Sequence, residues 1–195
     1  MALGAWQGGK PPVRRAPWSE TMFETTRYSW LWLILRVYLG WQWLHAGWEK
    51  LGNPAWVSTG TALQGYWTNA VKTTPRPAIT YDWYRAFIEF MLAHGYFTWF
   101  AKLVVGAEIL VGIFLILGAF TGVSAFIGGF LNFNYMMAGT ASTNPLLFTI
   151  SVLLIMAWKV AGYFGLDAVL LPSIRTPWDR GSTATAPPQD RRRNR

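Results

Sequence analysis

Three charged side chains sit well inside long apolar stretches of this chain: Arg36, Glu108 and Lys159. A charge at the centre of a bilayer costs about 2.5–3.5 kcal/mol on insertion scales, and such groups usually face a bundle interior in pairs. At about 1.5 Å per helical residue, Glu108 lies roughly 14 Å from Trp99 and Asn132 about 16 Å from Thr121, near the middle of their stretches. Arg36 comes about 9 Å in from Trp30, and Lys159 falls late in the last stretch. On this count Glu108 is a carboxylate held by Arg36 or Lys159, with Asn132 and Asn134 completing its hydrogen bonds. Such a group relays a proton or binds a polar head such as a quinone carbonyl. The competing reading is that Arg36 and Lys159 snorkel to the headgroups, a route Glu108 lacks.

A second polar cluster, His45, Glu49 and Lys50, lies within two helical turns and is ringed by Trp41, Trp43 and Trp48. His45 and Glu49 are spaced i,i+4 and face each other. Arg36 precedes His45 by about half a helical rotation, so the two clusters use different faces. His94 is the other of the two histidines. Two histidines at one level can ligate a haem b or hold a quinol oxygen. The plainer reading, two interfacial polar residues, outweighs the haem. Residues 132–137 (NFNYMM) read as helix packing rather than a ligand box, and no phosphate loop, hydrolase triad or metal-binding set is seen. The absence of cysteine removes disulfide exchange, iron–sulfur clusters, thiolate metal sites and covalent c-type haem.

The elements that must position these residues are four stretches, 30–51, 97–120, 121–141 and 146–166, each near the ~20 residues that cross ~30 Å of hydrocarbon. The 195-residue chain is 52% hydrophobic and only 13% charged, half the charged share of a soluble domain. The expected fold is an all-α integral membrane four-helix bundle. Residues 1–29 form a lead with a short amphipathic helix near 18–28, residues 30–170 the membrane domain, and residues 171–195 a disordered tail. The lead is polar and runs into an uncleaved span, so no cleavable signal peptide is expected.

The net charge of +8 does not point to nucleic acid, because Lys and Arg gather at the two ends and in the loop after the first stretch. The positive-inside rule then puts both termini in the cytoplasm of a plasma (inner) membrane, with 52–96 outside. Within that segment 54–71 and 82–96 read as amphipathic helices separated by a break at 73–77. The 13 Trp suit interfacial belts and also the walls of a flat-cofactor site. Asn53-Pro54 and Asn144-Pro145 are helix starts, and Ala125 and Gly129 give a small-xxx-small seam.

Arg36, Gly40, Gly47 and Lys50 form an R-x3-G-x6-G-x2-K pattern; Glu108, Gly112 and Gly118 form E-x3-G-x5-G; Gly165-Leu166-Asp167 closes the series. In order and spacing these motifs resemble the DoxX family of small four-span membrane proteins, which includes the DoxD-type subunit of thiosulfate:quinone oxidoreductase. The resemblance covers residues 30–170. It implies a membrane subunit of a quinone-linked redox system, in contact with the lipid bilayer and with a partner protein that donates electrons. In that case Glu108 and Arg36 are the catalytic pair, and His45, Glu49, Asn132 and Lys159 contact the quinone. The alternative is a non-catalytic scaffold or accessory subunit of a larger membrane complex, and a homo-oligomer is left open. A cavity beside Glu108 or His45 would favour the first, a solid core the second.

Overall fold

The structure, a computed structural model, describes residues 16–173. Most of the expected disordered tail and of the lead lies outside these residues, while 171–173, expected in that tail, are helical. The described residues form helices joined by turns and loops, with no strand among them. Helix α1 (Pro17–Phe23) and a 3-10 turn (Thr26–Tyr28) lead into α2 (Ser29–Leu51). Three shorter helices follow: α3 (Pro54–Val57), α4 (Thr61–Ala70) and α5 (Asp82–Ala93). The long helices α6 (Phe97–Leu117) and α7 (Thr121–Met137) come next, then α8 (Asn144–Met156), α9 (Trp158–Ala161) and α10 (Asp167–Ser173).

The α2–α6 pair is the spine of the molecule, and glycine sets its closeness. A Cβ on Gly112 would stand 2.5 Å from the Leu44 nitrogen, and one on Gly47 would stand 2.7 Å from Ile109 Cγ1 and 3.1 Å from Glu108 Cβ. Those contacts fix an antiparallel register in which the C-terminal end of α2 meets the middle of α6. The first two turns of α6 therefore project beyond α2. There they pack under α4 and α5 around Leu63, Trp67, Ile88 and Met91. The opposite half of the spine packs against α7, α8 and α9 around Trp32, Leu39, Leu115 and Leu154.

The polarity is inverted relative to a water-soluble protein. Arg36, Glu108, Asn132 and Asp167 are buried, while Leu103, Leu110, Phe126 and Phe130 face outward. By length and composition α6 is the one helix among the described residues long and apolar enough to cross a membrane.

Two expected elements differ. The stretch 146–166 is not one helix: α8 ends at Met156, and the turn at Ala157 seats Trp158 on α7, where a Cβ on Gly122 would come within 2.9 Å of it. Past α9 the chain folds back so that the Leu166 and Asp167 amides donate to the Leu117 and Gly118 carbonyls at 3.1 and 2.7 Å. The expected helix 54–71 is split at Gly60, whose φ of +73° only glycine adopts cheaply and whose Cα abuts the first turn of α6.

Candidate functional site

Glu108 is fully buried at mid-α6, and three hydrogen bonds converge on its carboxylate. Lys50 Nζ donates to Oε1 at 2.9 Å and to Oε2 at 2.8 Å, and the Tyr135 hydroxyl donates to Oε1 at 2.8 Å. Three donations from a cation and a phenol suit an ionised, acceptor-only carboxylate. Lys50 is steadied in turn by the Ala46 carbonyl at 3.4 Å and by the Trp56 ring 5.4 Å away. The glycines explain how the pair forms: only with Gly47 against Glu108 Cβ does α2 come close enough for Lys50 to reach across.

The carboxylate lies at the floor of a cavity of about 360 Å³ between α2, α4, α7 and the start of α8. Exposed His45, Glu49 and Thr143 form its mouth, and buried Glu108, Asn132 and Trp43 its floor. Asn132 is 0% exposed, yet neither its Oδ1 nor its Nδ2 has a hydrogen-bond partner among the described residues, and the same holds for Trp43 Nε1. Gly128, one turn before Asn132, makes room for that indole: a Cβ there would stand 2.7 Å from Nε1. Orphaned buried polar atoms cost about 1–3 kcal/mol each. The floor thus presents two free donors and one free acceptor to whatever fills it.

The expected partners of Glu108 need correction. Arg36 is not at Glu108. Its Nη2 donates to the Phe164 carbonyl at 3.0 Å, and the charge acting on it is that of Asp167. Asp167 itself caps α7, accepting from the Phe120 and Thr121 amides at 2.6 and 2.8 Å. Gly118 and Gly165 leave the space that the guanidinium fills, since a Cβ on either would strike Nη1. That end of the bundle is a lock between α2, the α6–α7 turn and the chain after α9.

Lys159 is exposed, with its ammonium 6.0 Å from the Trp158 ring, and takes no part in the site. Asn134 does not reach Glu108 either: its Oδ1 accepts from Tyr84 at 3.2 Å and its Nδ2 donates to Phe130 O. His45 and Glu49 face each other at 3.8 Å as the spacing requires, at the mouth. His94 lies elsewhere, against Phe90 at the end of α5, and does not line this cavity. Among the described residues no group of three or more His, Cys, Asp or Glu is placed to hold a metal ion.

Sequence reasoning placed Lys50 and Trp43 in the His45 cluster and not beside Glu108, read Tyr135 as helix packing, and did not single out Tyr66. A signal for Lys50 was present: Arg36, Gly40, Trp43, Gly47 and Lys50 recur at i+4 and i+3 and so share one face of α2, unlike His45. Tyr66, on α4, hydrogen-bonds Thr140 at 2.8 Å across the cavity wall. Burial pushes its phenol above the usual range, with the Thr140 bond pulling it partly back. Tyr84 on α5 is pushed up to about 12 by burial, with Tyr66 adding to the effect.

The DoxX family model matches residues 31–141, more than half of the 195-residue chain. The chain belongs to the DoxX family. Every glycine and charge of the α2–α6 seam falls inside the matched region of this DoxX protein, whereas Asp167 falls outside it. Membership makes it a membrane protein in contact with lipid, in keeping with its apolar exterior. Neither a curated protein nor a solved structure matches the chain.

Proposed function

We propose that this DoxX protein is the quinone-binding membrane subunit of a redox system, working with a partner protein that supplies electrons. The observation that carries this reading is the Glu108 cavity, whose floor joins a buried carboxylate to an unpartnered carboxamide and indole N–H. A quinone head offers carbonyl acceptors for Asn132 Nδ2 and Trp43 Nε1, and its reduced form offers a hydroxyl for Asn132 Oδ1. When bound, a quinone supplies the capacity to accept an electron pair and protons. The residues supply the rest. Lys50 and Tyr135 hold Glu108 in place, and Oε2, with a single hydrogen bond, is the oxygen with room for a proton. His45 and Glu49 at the mouth exchange protons with water.

In this reading α2, α6, α7 and the α8–α9 pair cross a plasma (inner) membrane, with both termini cytoplasmic by the positive-inside rule. The cavity mouth then opens on the outer side. A scaffold with no ligand has no use for a hollow floor lined by orphaned polar atoms. Transport across the bundle is disfavoured too, because fully buried Leu39, Leu115 and Leu154 close the core between the Glu108 and Arg36 ends.

The test is gentle purification in detergent followed by quinone extraction. Wild-type protein is expected to carry quinone, with retention reduced in Glu108→Gln and His45→Ala and lost in Asn132→Leu. A quinone-free wild type that comes out with other membrane subunits would make it a scaffold.

A further inference from the structure

Behind the Glu108 cavity lies a second one, of about 240 Å³, enclosed by α4, α5, α6 and α7. The two share a wall, because Tyr66 and Tyr135 line both, with their rings meeting edge to face at 6.2 Å between centroids. The chambers differ sharply in chemistry. The second is walled by side chains such as Leu63, Ile88, Phe100, Val104 and Leu131. Its hydroxyls are already engaged: Tyr66 with Thr140, Tyr84 with Asn134, and Tyr135 with Glu108. Asn134 spends its amide on Phe130 O. An occupant gains dispersion and apolar burial there and no free hydrogen-bonding partner from these groups, which disfavours water and favours hydrocarbon.

The openings differ as well. The polar cavity opens past His45 and Glu49, whereas Phe87 and Phe130, 43% and 58% exposed, form the rim of the apolar one on the flank of α5 and α7. A molecule with a polar head and a long apolar chain matches both chambers in sequence. Its head meets Asn132 and Trp43, its chain passes Tyr66 and Tyr135, and the remainder leaves between Phe87 and Phe130 into lipid. Tyr135 is pinned by Glu108, so Tyr66, held by its hydroxyl's bond to Thr140, is the side that swings.

We infer that the aromatic chamber is a tail channel, holding the first prenyl units of an isoprenoid chain whose head lies in the Glu108 cavity, with Tyr66 as the gate between them. The inference rests on the quinone reading above and names the form of its ligand. It predicts preference for a prenylated quinone over the same head without a tail. Each buried methylene is worth about fourfold in affinity, from ~0.8 kcal/mol, so even partial filling gives about tenfold.

The experiment measures binding of a tailless benzoquinone and of the same head with a short prenyl tail, to the full chain in one detergent. Wild type is compared with two variants that fill the chamber, Val104→Phe and Leu131→Trp, each first checked for a cooperative unfolding transition. The comparison between variants cancels partition of the tail into micelles. The expected result is a preference of about tenfold in wild type that falls to about twofold in a filled variant, with tailless binding unchanged. A preference that survives in whichever filled variants fold would overturn the tail channel and leave the quinone reading intact. Failure of wild type to bind either ligand would overturn both.

Discussion

At the Lys50–Glu108 pair, removing the ammonium and removing the carboxylate are not equivalent changes. Lys50→Met leaves a fully buried carboxylate with only Tyr135 to answer it, and stripping one partner from a buried pair costs about 3–5 kcal/mol. Glu108→Gln leaves an ammonium on a side chain that is 20% exposed and can turn toward the mouth, so its cost is smaller. The double variant is expected to recover part of the Lys50→Met loss, read from denaturant unfolding in detergent; additive losses would mean that the two groups do not interact. Asn132 behaves in the opposite sense. Replacing its orphaned carboxamide with leucine is expected to hold stability constant or raise it by about 1 kcal/mol while abolishing quinone retention. Stability lost with retention intact would make Asn132 a structural residue. Glu108 is legible in the sequence because a carboxylate inside an apolar stretch has no escape to water. Its partner is not, because counting depth along each stretch assumes that facing helices begin level, whereas α6 overshoots the end of α2. Arg36 and Lys50 stand on one face of α2, but which of them meets Glu108 depends on that offset alone.

The offset is a property of the helix seam, and the seam can be tested by adding single methyl groups. A Cβ on Gly112 meets the backbone of Leu44 rather than a side chain that can turn aside, so Gly112→Ala is expected to cost about 1–3 kcal/mol. It should also weaken quinone retention by drawing Lys50 away from Glu108. Gly106, on the same helix with nothing within 4 Å of its would-be Cβ, is the control: Gly106→Ala should be neutral or stabilising by up to ~1 kcal/mol. Equal effects at the two positions would show that helix propensity, and not close approach, governs the seam. The cap formed by α4 and α5 answers instead to pH. An unfolded phenol ionises near 10, whereas Tyr84 in the fold holds its proton to about 12. The stabilisation tied to Tyr84 is therefore fully present below pH 10 and is lost as pH rises toward 12. Unfolding midpoints across that window should fall more steeply in wild type than in Tyr84→Phe. At this scale α2 and the start of α6 are legible from hydropathy and their bounding residues. The end of the fourth stretch is not, because what stops α8 is the fit of Trp158 on Gly122 and the docking of residues 166–167 onto the α6 terminus, contacts between segments far apart in sequence.

For the molecule as a whole, the side of the membrane on which the Glu108 cavity opens decides what the site can do. The cavity mouth, the α3–α5 cap and the loop carrying Lys72 lie at one end of the bundle, while Arg27 and the Arg36–Asp167 lock lie at the other. In the topology proposed above, with an even number of crossings and basic residues at both termini, the positive-inside rule turns the cap end outward. The chain has no cysteine, so a single introduced thiol reports its own side without background. Lys72→Cys and Arg27→Cys both replace exposed residues away from the site. A membrane-impermeant thiol reagent on intact cells is expected to label Lys72→Cys at once and Arg27→Cys only after the membrane is opened. The reverse pattern would turn the mouth toward the cytoplasm, and protons reaching Glu108 past His45 would then be drawn from inside the cell. Labelling of both in intact cells would put the two ends of α2 on one side and remove the first crossing, and with it the requirement that Glu108 be paired within hydrocarbon. Only the first outcome lets a quinone head sit beneath the outer surface while its tail leaves sideways between Phe87 and Phe130 into the bilayer.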